Sequence, residues 1–131
     1  MIETMQMRPI NPESVPEATG GYHNALEVQT AGRMLFISGQ IPQSRDGHVP
    51  ATPEAQCRQV WDNIRAVLAD AGMDVDNLVK VTTFLADRRH AEVNTKVRNE
   101  ALGGHRPALT VIITGIFDPE WIIEIEALAV A

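Results

Sequence analysis

Two carboxylates stand among branched apolar residues near the end of the sequence, at Glu124 and Glu126 within residues 122–130. This stretch has the composition of a β-strand, in which alternate side chains point to opposite faces, so both glutamates share one face. A carboxylate among apolar side chains costs free energy unless it is exposed, paired or used in chemistry. A carboxylate in such a place can act as a general base that activates water.

Two hydroxyl groups occupy positions where a backbone turn would present them. Tyr22 follows Gly20 and Gly21, which can adopt backbone angles that other residues avoid. Ser38 and Gly39 end an apolar run, which places a hydroxyl and unobstructed backbone donors at a strand end. Such donors, with water activated by a carboxylate, would suit an addition or hydrolysis reaction. The plainer interpretation is an edge tyrosine and an ordinary strand-exit turn.

The sequence lacks the common signatures of metal, nucleotide and disulfide chemistry. Its four histidines show no metal-binding spacing, and it has no C-x-x-C motif, Walker loop or dinucleotide fingerprint. We therefore expect no metal and no cofactor. Cys57 is the single cysteine, which excludes a disulfide framework and fits a reducing compartment. Its place on an apolar helical stripe predicts a buried, inert thiol.

Length and charge limit the class of protein. The 131 residues, 44% of them hydrophobic and 21% charged, are expected to form a single domain over residues 1–131. The net charge of −6 and the absence of a Lys/Arg run make nucleic acid a poor candidate partner. The sequence shows neither a signal peptide nor an apolar run that could cross a membrane. We expect a cytoplasmic protein.

The first half predicts an arm, two strands and a helix. Three prolines and little periodicity predict an irregular arm over residues 1–18, with brief pairing near residues 5–7. Residues 25–30 and 33–40 have strand composition and would form a short hairpin. Thr52 is a typical N-cap before Pro53, and the apolar stripe that follows predicts a helix that ends near Gly72.

The second half predicts a crossover and a second helix. Residues 78–86, rich in Val and Thr, would pair in parallel with residues 33–40 through a right-handed connection. Asp87 would cap a helix over residues 88–102. Asn94, beside the apolar stripe of this helix, is expected to make a structural hydrogen bond to a neighbouring loop.

Residues 108–114 and 122–130 complete the predicted sheet. The order is β-β-α-β-α-β-β, an α+β fold with a mixed sheet and both helices on one face. The apolar residues on both faces of the strands exceed what two helices can cover, and so apolar a face should not meet water. We infer a homo-oligomer in which sheets pack against sheets.

Several segments, taken in order, resemble the Rid family of reactive-intermediate deaminases, also called the YjgF/RidA family. The most specific are residues 36–42 (FISGQIP) and 123–127 (IEIEA). The others are residues 20–22, 56–63, 81–85, 93–94 and 106–108. The resemblance covers about residues 15–131.

The resemblance implies a chorismate-mutase-like fold and a homotrimer whose three sheets form an inner barrel with the helices outside. Clefts of this family lie between subunits, and its active members hydrolyse enamines and imines of small metabolites to ketones and ammonia without a metal or cofactor. Matched by motif, the catalytic residues would be Tyr22, Ser38 and Glu124. The substrate-binding residues would be Gly39, Phe84, Asn94, Leu109 and Thr110.

One position departs from the family pattern. Active deaminases of the best-known branch carry an arginine two residues after the proline of the Arg106-Pro107-Ala108 segment, where it grips the substrate carboxylate bidentately. This chain has Leu109 there. The loss would cost about 1.5–3 kcal/mol, or roughly 10–100-fold in affinity. Arg106 is a poor substitute, because three residues along a strand is roughly 10 Å and leads to the opposite face.

Two interpretations of function follow. In the first, the chain is an imine or enamine hydrolase for a substrate that does not need the arginine; the presence of Tyr22, Ser38 and Glu124 favours it. In the second, it is a non-catalytic trimer that binds a small metabolite or a protein in the same clefts, which Leu109 favours. A ribonuclease activity, sometimes ascribed to the family, is a third alternative, which the acidic charge balance opposes.

Overall fold

The computed structural model describes residues 6–29 and 32–131 and contains an α+β fold. In chain order its elements are β1 (Gln6–Ile10), β2 (Ala25–Gln29), β3 (Met34–Gln40), α1 (Pro53–Asp70), β4 (Leu78–Leu85), α2 (Ala91–Leu102), β5 (Ala108–Ile113) and β6 (Ile123–Val130). Short 3₁₀ turns precede β4 and α2. The predicted fold class is confirmed, with one strand, β1, added to the predicted order.

β6 occupies an interior position in the main sheet, which has the order β3-β6-β4-β5. It pairs antiparallel with both β3 and β4, whereas β5 pairs parallel with β4. The predicted parallel pair between residues 33–40 and 78–86 is therefore wrong. The two strands do run in the same direction, but β6 lies between them, because this strongly apolar strand gains most from neighbours on both edges.

β1 and β2 form a separate two-stranded antiparallel sheet. The predicted irregular arm over residues 1–18 is thus wrong for Gln6–Ile10. Pro9 hides the strand in the sequence, since a proline cannot donate to a ladder, yet it is tolerated in a strand at a sheet edge. The expected pairing near residues 5–7 is confirmed for Gln6 and Met7, which pair with Gln29 and Val28, whereas Met5 lies outside the described residues.

The predicted hairpin between residues 25–30 and 33–40 is also wrong. In the described part of the chain, β2 pairs with β1 and β3 pairs with β6. The backbone N–H groups of Gly32 and Arg33 both donate to the carbonyl of Ala131 at 2.8 Å, which ties the start of β3 to the end of β6. Thr30 and Ala31 lie outside the described residues.

α1 begins as its sequence predicts. Oγ1 of Thr52 accepts a hydrogen bond from the Ala55 N–H at 3.2 Å, and Pro53 takes the first helical position. Cys57 is buried on the inner face of the helix, and burial raises the pKa of its thiol to about 11. The thiol is therefore protonated at neutral pH and inert as a nucleophile.

α2 follows a 3₁₀ turn that Asp87 caps, and it ends at Gly103 with φ 61. Val97 and Ala101 are buried, as their spacing predicts. Asn94 is 2% exposed, but its Oδ1 has no hydrogen-bond partner among the described residues. The structural hydrogen bond expected from Asn94 to a loop is therefore not observed at Oδ1.

The two faces of the main sheet differ in their surroundings. The covered face lies under α1 and α2, and its β6 residues are Ile123, Ile125, Ala127 and Ala129. The open face carries Met34, Phe36, Lys80, Thr82, Phe84, Glu124, Glu126 and Leu128. Phe36 is 75% exposed and Met34 58% exposed, because no described element packs over them. A partner for this face remains a prediction.

Candidate functional site

The Glu124 carboxylate lies against the backbone of Gly39. The register between β3 and β6 shifts between Ile37 and Gln40, so Ser38 and Gly39 have no ladder partners on β6. A Cβ built on Gly39 would lie 2.8 Å from Cδ of Glu124 and closer still to Oε2. Only glycine therefore fits beside the carboxylate in its present position.

Glu124 itself is half-buried on the open face, opposite Phe84 in the β4–β6 ladder. No ion pair with its carboxylate occurs among the described residues. Of the three explanations for an acid among apolar residues, an ion pair within residues 6–29 and 32–131 is thus excluded. A half-buried, unpaired carboxylate beside an open backbone is free to hold a water molecule or a ligand.

Ser38 is exposed beside Gly39, and its carbonyl accepts a hydrogen bond from Nε2 of Gln40 at 3.0 Å. It lines a depression of about 240 Å³ on the open face, together with Phe36, Ile37, Lys80, Thr82, Glu126, Ala127 and Leu128. Thr110 borders this region from β5, where its Oγ1 accepts a hydrogen bond from Nζ of Lys80 at 2.7 Å. Thr110 therefore contacts a lysine rather than Glu124.

Tyr22 lies elsewhere, beside the start of β5. The next residue, His23, forms a parallel bridge with Ala108, so the Gly-Gly-Tyr turn sits next to the first residues of that strand. Leu109 follows, opposite the fully buried Val81, and packs against the core from the covered face. The Nδ2 group of Asn11 donates to Nδ1 of His23 at 3.0 Å, which engages His23 with the N-terminal segment.

Tyr22 and Glu124 lie at opposite ends of the main sheet. Ala108 and Glu124 pair with β4 positions four residues apart, which corresponds to roughly 13 Å along the strand. Leu109 and Glu124 also face opposite sides of the sheet. One chain therefore holds two separate groups of the predicted site residues. The first group is Ser38, Gly39, Phe84 and Glu124; the second lies around Tyr22 and Leu109.

Arg98 is a residue near Tyr22 to which the sequence analysis gave no role. It is 3% exposed, and its Nη2 donates to the carbonyl of Gly20 at 2.5 Å. Burial lowers the pKa of this guanidinium, and the charge interaction with Tyr22 opposes that shift. One sequence feature could have indicated that Arg98 faces inward: it falls four residues after Asn94, on the same face of α2.

Within residues 6–29 and 32–131, no cluster of three or more His, Cys, Asp or Glu side chains could hold a metal ion. Nor does any helix in that part of the chain have the length and apolar character that crossing a membrane requires.

Comparisons with known proteins cover nearly the whole chain. The family model described as Endoribonuclease L-PSP matches residues 12–131. A RutC family protein from Pyrococcus horikoshii is 35% identical over 119 residues, which are 89% of this chain and 92% of that protein. The 2-iminobutanoate/2-iminopropanoate deaminase of Escherichia coli is 34% identical over 125 residues, 92% of this chain and 95% of that enzyme.

A solved structure has a similar fold over nearly the whole chain. The YyfB protein of Yersinia pestis, described as a Rid family protein of unknown function, superposes with a TM-score of 0.82 at 30% identity. The superposition covers 95% of this chain and 98% of that one. The similarity therefore concerns the complete fold rather than a shared segment.

Proposed function

Because this chain belongs to the Rid family, whose family model is described as Endoribonuclease L-PSP, we propose that it hydrolyses an imine or enamine of a small metabolite. The observation that carries the proposal is the Glu124 carboxylate, which forms no ion pair in the described part of the chain and lies against the backbone of Gly39. The deaminase named among its relatives supports the reaction class.

Glu124 acts as the general base of this reaction. Its carboxylate takes a proton from a water molecule, whose oxygen attacks the carbon of the C=N bond while the nitrogen takes up a proton. The carbinolamine that results expels ammonia and leaves a ketone; an enamine first tautomerises to the imine. Ser38 and Gly39 supply a hydroxyl and backbone groups free of the ladder, which hold the substrate beside the carboxylate.

A second copy of the chain completes the site. Tyr22 and Glu124 are too far apart to meet in one copy, so they meet only where the Tyr22 end of one chain reaches the Glu124 end of another. The exposed Phe36 supports such an assembly, since the open face would otherwise present a large aromatic ring to water. The proposed assembly is a homotrimer with the sheets inside and the clefts between subunits.

The substrate differs from that of arginine-bearing relatives. Leu109 occupies the position of the family arginine and packs against the core, so it offers no charge to a carboxylate. A substrate whose binding does not depend on a carboxylate contact at this position fits the cleft better.

Leu109 also favours a second candidate function, a non-catalytic trimer that binds a small metabolite or a protein segment in the same clefts. The two candidates differ in what they require of Glu124. Hydrolysis needs its carboxylate as a base, whereas binding does not.

An assay with two imine sources separates these functions. An amino-acid oxidase supplies 2-imino acids and an amine oxidase supplies neutral imines, and ammonia release is followed with and without the protein. We expect acceleration with neutral imines, and a loss of roughly 100-fold or more in Glu124→Gln. Glu92→Gln, which alters an exposed carboxylate on α2 away from the open face, is the control and should keep its activity. If wild type and Glu124→Gln are equal on every imine, the hydrolase proposal is wrong.

A further inference from the structure

α2 holds the turn that presents Tyr22. The guanidinium of Arg98 donates to the Gly20 carbonyl at 2.5 Å, and a Cβ added to Gly20 would lie 3.3 Å from the Tyr22 ring and 3.9 Å from Nη2. The phenol ring and the guanidinium thus both lie close to Gly20. Arg98 therefore contacts the turn from α2 at the position where the Tyr22 ring also packs.

The next residue of the turn is constrained by the same helix. Gly21 has φ +84, a conformation that side chains rarely adopt, and a Cβ there would lie 3.0 Å from Cγ of Asn99. Arg98 and Asn99 are adjacent on α2, so consecutive helical residues fix consecutive glycines. Two contacts at successive positions define the path of the backbone into Tyr22.

Arg98 is an unusual residue in this place. It is 3% exposed, no acid forms an ion pair with it among the described residues, and its Nε has no hydrogen-bond partner. Burying a cation without a counter-ion costs free energy, and a leucine or methionine would fill the same space without that cost. A structural role in the core therefore does not account for the guanidinium.

We propose that Arg98 is a positioning residue for Tyr22. Its hydrogen bond fixes the Gly20 carbonyl and with it the turn that leads into Tyr22. The catalytic consequence rests on the proposed function, in which Tyr22 is brought to the Glu124 end of another copy. The placement of the ring by Arg98 does not depend on it.

The single tyrosine of the chain gives a direct readout. Protein labelled with ring-¹³C tyrosine yields one set of Tyr22 ring signals by NMR. We expect Arg98→Met to shift or broaden these signals, and Arg98→Lys to give an intermediate spectrum, because an ammonium group can still donate to Gly20. Arg65→Met is the matched control, since Nη2 of Arg65 also donates to a backbone carbonyl, that of Ala101, at 2.9 Å.

The NMR spectra of these variants test the positioning role of Arg98 whether or not a substrate is known. A folded Arg98→Met with wild-type Tyr22 signals overturns it, and so does an equal effect of Arg65→Met. If Arg98→Met does not fold, Arg98→Lys decides, and an unchanged Tyr22 spectrum in that variant overturns it as well. Where hydrolysis is measurable, kcat/KM should fall roughly 10–100-fold in Arg98→Met. Absence of hydrolysis in the wild type would contradict the proposed function alone.

Discussion

At both Glu124 and Leu109, the proposed site lacks a positive charge. The carboxylate has no ion-pair partner among the described residues. The leucine packs against the core and, by the motif match, stands where we expect the family arginine. A carboxylate-bearing substrate near Glu124 would therefore meet a negative charge without a compensating positive one. We therefore propose that the charges of these two residues disfavour the binding of 2-imino acids.

The substitution Leu109→Arg tests whether the missing positive charge determines which substrates bind. The substitution should strengthen the binding of 2-ketoacids roughly 10–100-fold, because a bidentate charge-assisted contact is restored. Isothermal titration calorimetry measures the change, with Leu109→Met as an apolar control. The wild-type protein should show no appreciable hydrolysis of 2-iminobutanoate. Unchanged ketoacid affinity in Leu109→Arg would place the cleft elsewhere.

The bulge between β3 and β6 is the element that forms the Glu124 part of the proposed site. It releases Ser38 and Gly39 from the ladder and brings a backbone without a side chain to Glu124. A regular ladder would bury those backbone groups in hydrogen bonds to β6. The bulge therefore leaves Ser38 and Gly39 available to the proposed site, and the sheet loses their pairing with β6.

The substitution Gly39→Ala separates the contribution of Gly39 to the proposed site from its contribution to stability. The added methyl would overlap the carboxylate end of Glu124, a flexible and half-buried side chain that can move toward solvent. We expect the free energy of unfolding in urea to change by less than about 1 kcal/mol. Imine hydrolysis should fall at the same time, by roughly 100-fold. Gly115→Ala, where a Cβ meets nothing within 4 Å, is the control and should keep both properties.

Local signals made the helices predictable. Thr52, Pro53 and Glu54 mark the start of α1 through contacts within one turn, and the structure reproduces them. The partners of β6 were not predictable in the same way, because they depend on strands that are distant in sequence. β1 was missed for the same reason: its partner is β2, and Pro9 masks its pattern.

The site was predictable only in part. Motif resemblance identified Ser38, Gly39 and Glu124, which the structure brings together. The separation of Tyr22 from them follows from where β5 lies in the sheet, which no local pattern reveals. Arg98 was missed because a charged residue on a helix is expected at the surface, and its burial depends on the Gly-Gly turn that packs over it.

The whole molecule presents an open face that one chain cannot cover. Its exposed apolar side chains lie next to Lys80 and Glu126, which carry opposite charges. Copies packed face to face would bury the apolar groups and could bring these charges together. The proposed trimer accounts for both features of this face.

Phe36→Glu tests the assembly. A charge at this position, 75% exposed in the single chain, should prevent the open faces from packing and leave monomers. Multi-angle light scattering measures the mass. Ala66→Glu, on the exposed outer side of α1, is the control and should leave the trimer intact. A wild-type protein that is monomeric would contradict the barrel and the shared cleft.

The interior position of β6 also governs how the chain can fold as it is made. β3 has no ladder partner in the main sheet until residues 123–130 have been synthesised, and β4 has only β5. A nascent chain that pauses before that point exposes unpaired strand edges, which are templates for aggregation. Synthesis of the strand that carries Glu124 is thus the step that completes the sheet, and the proposed catalytic base is placed in the same step.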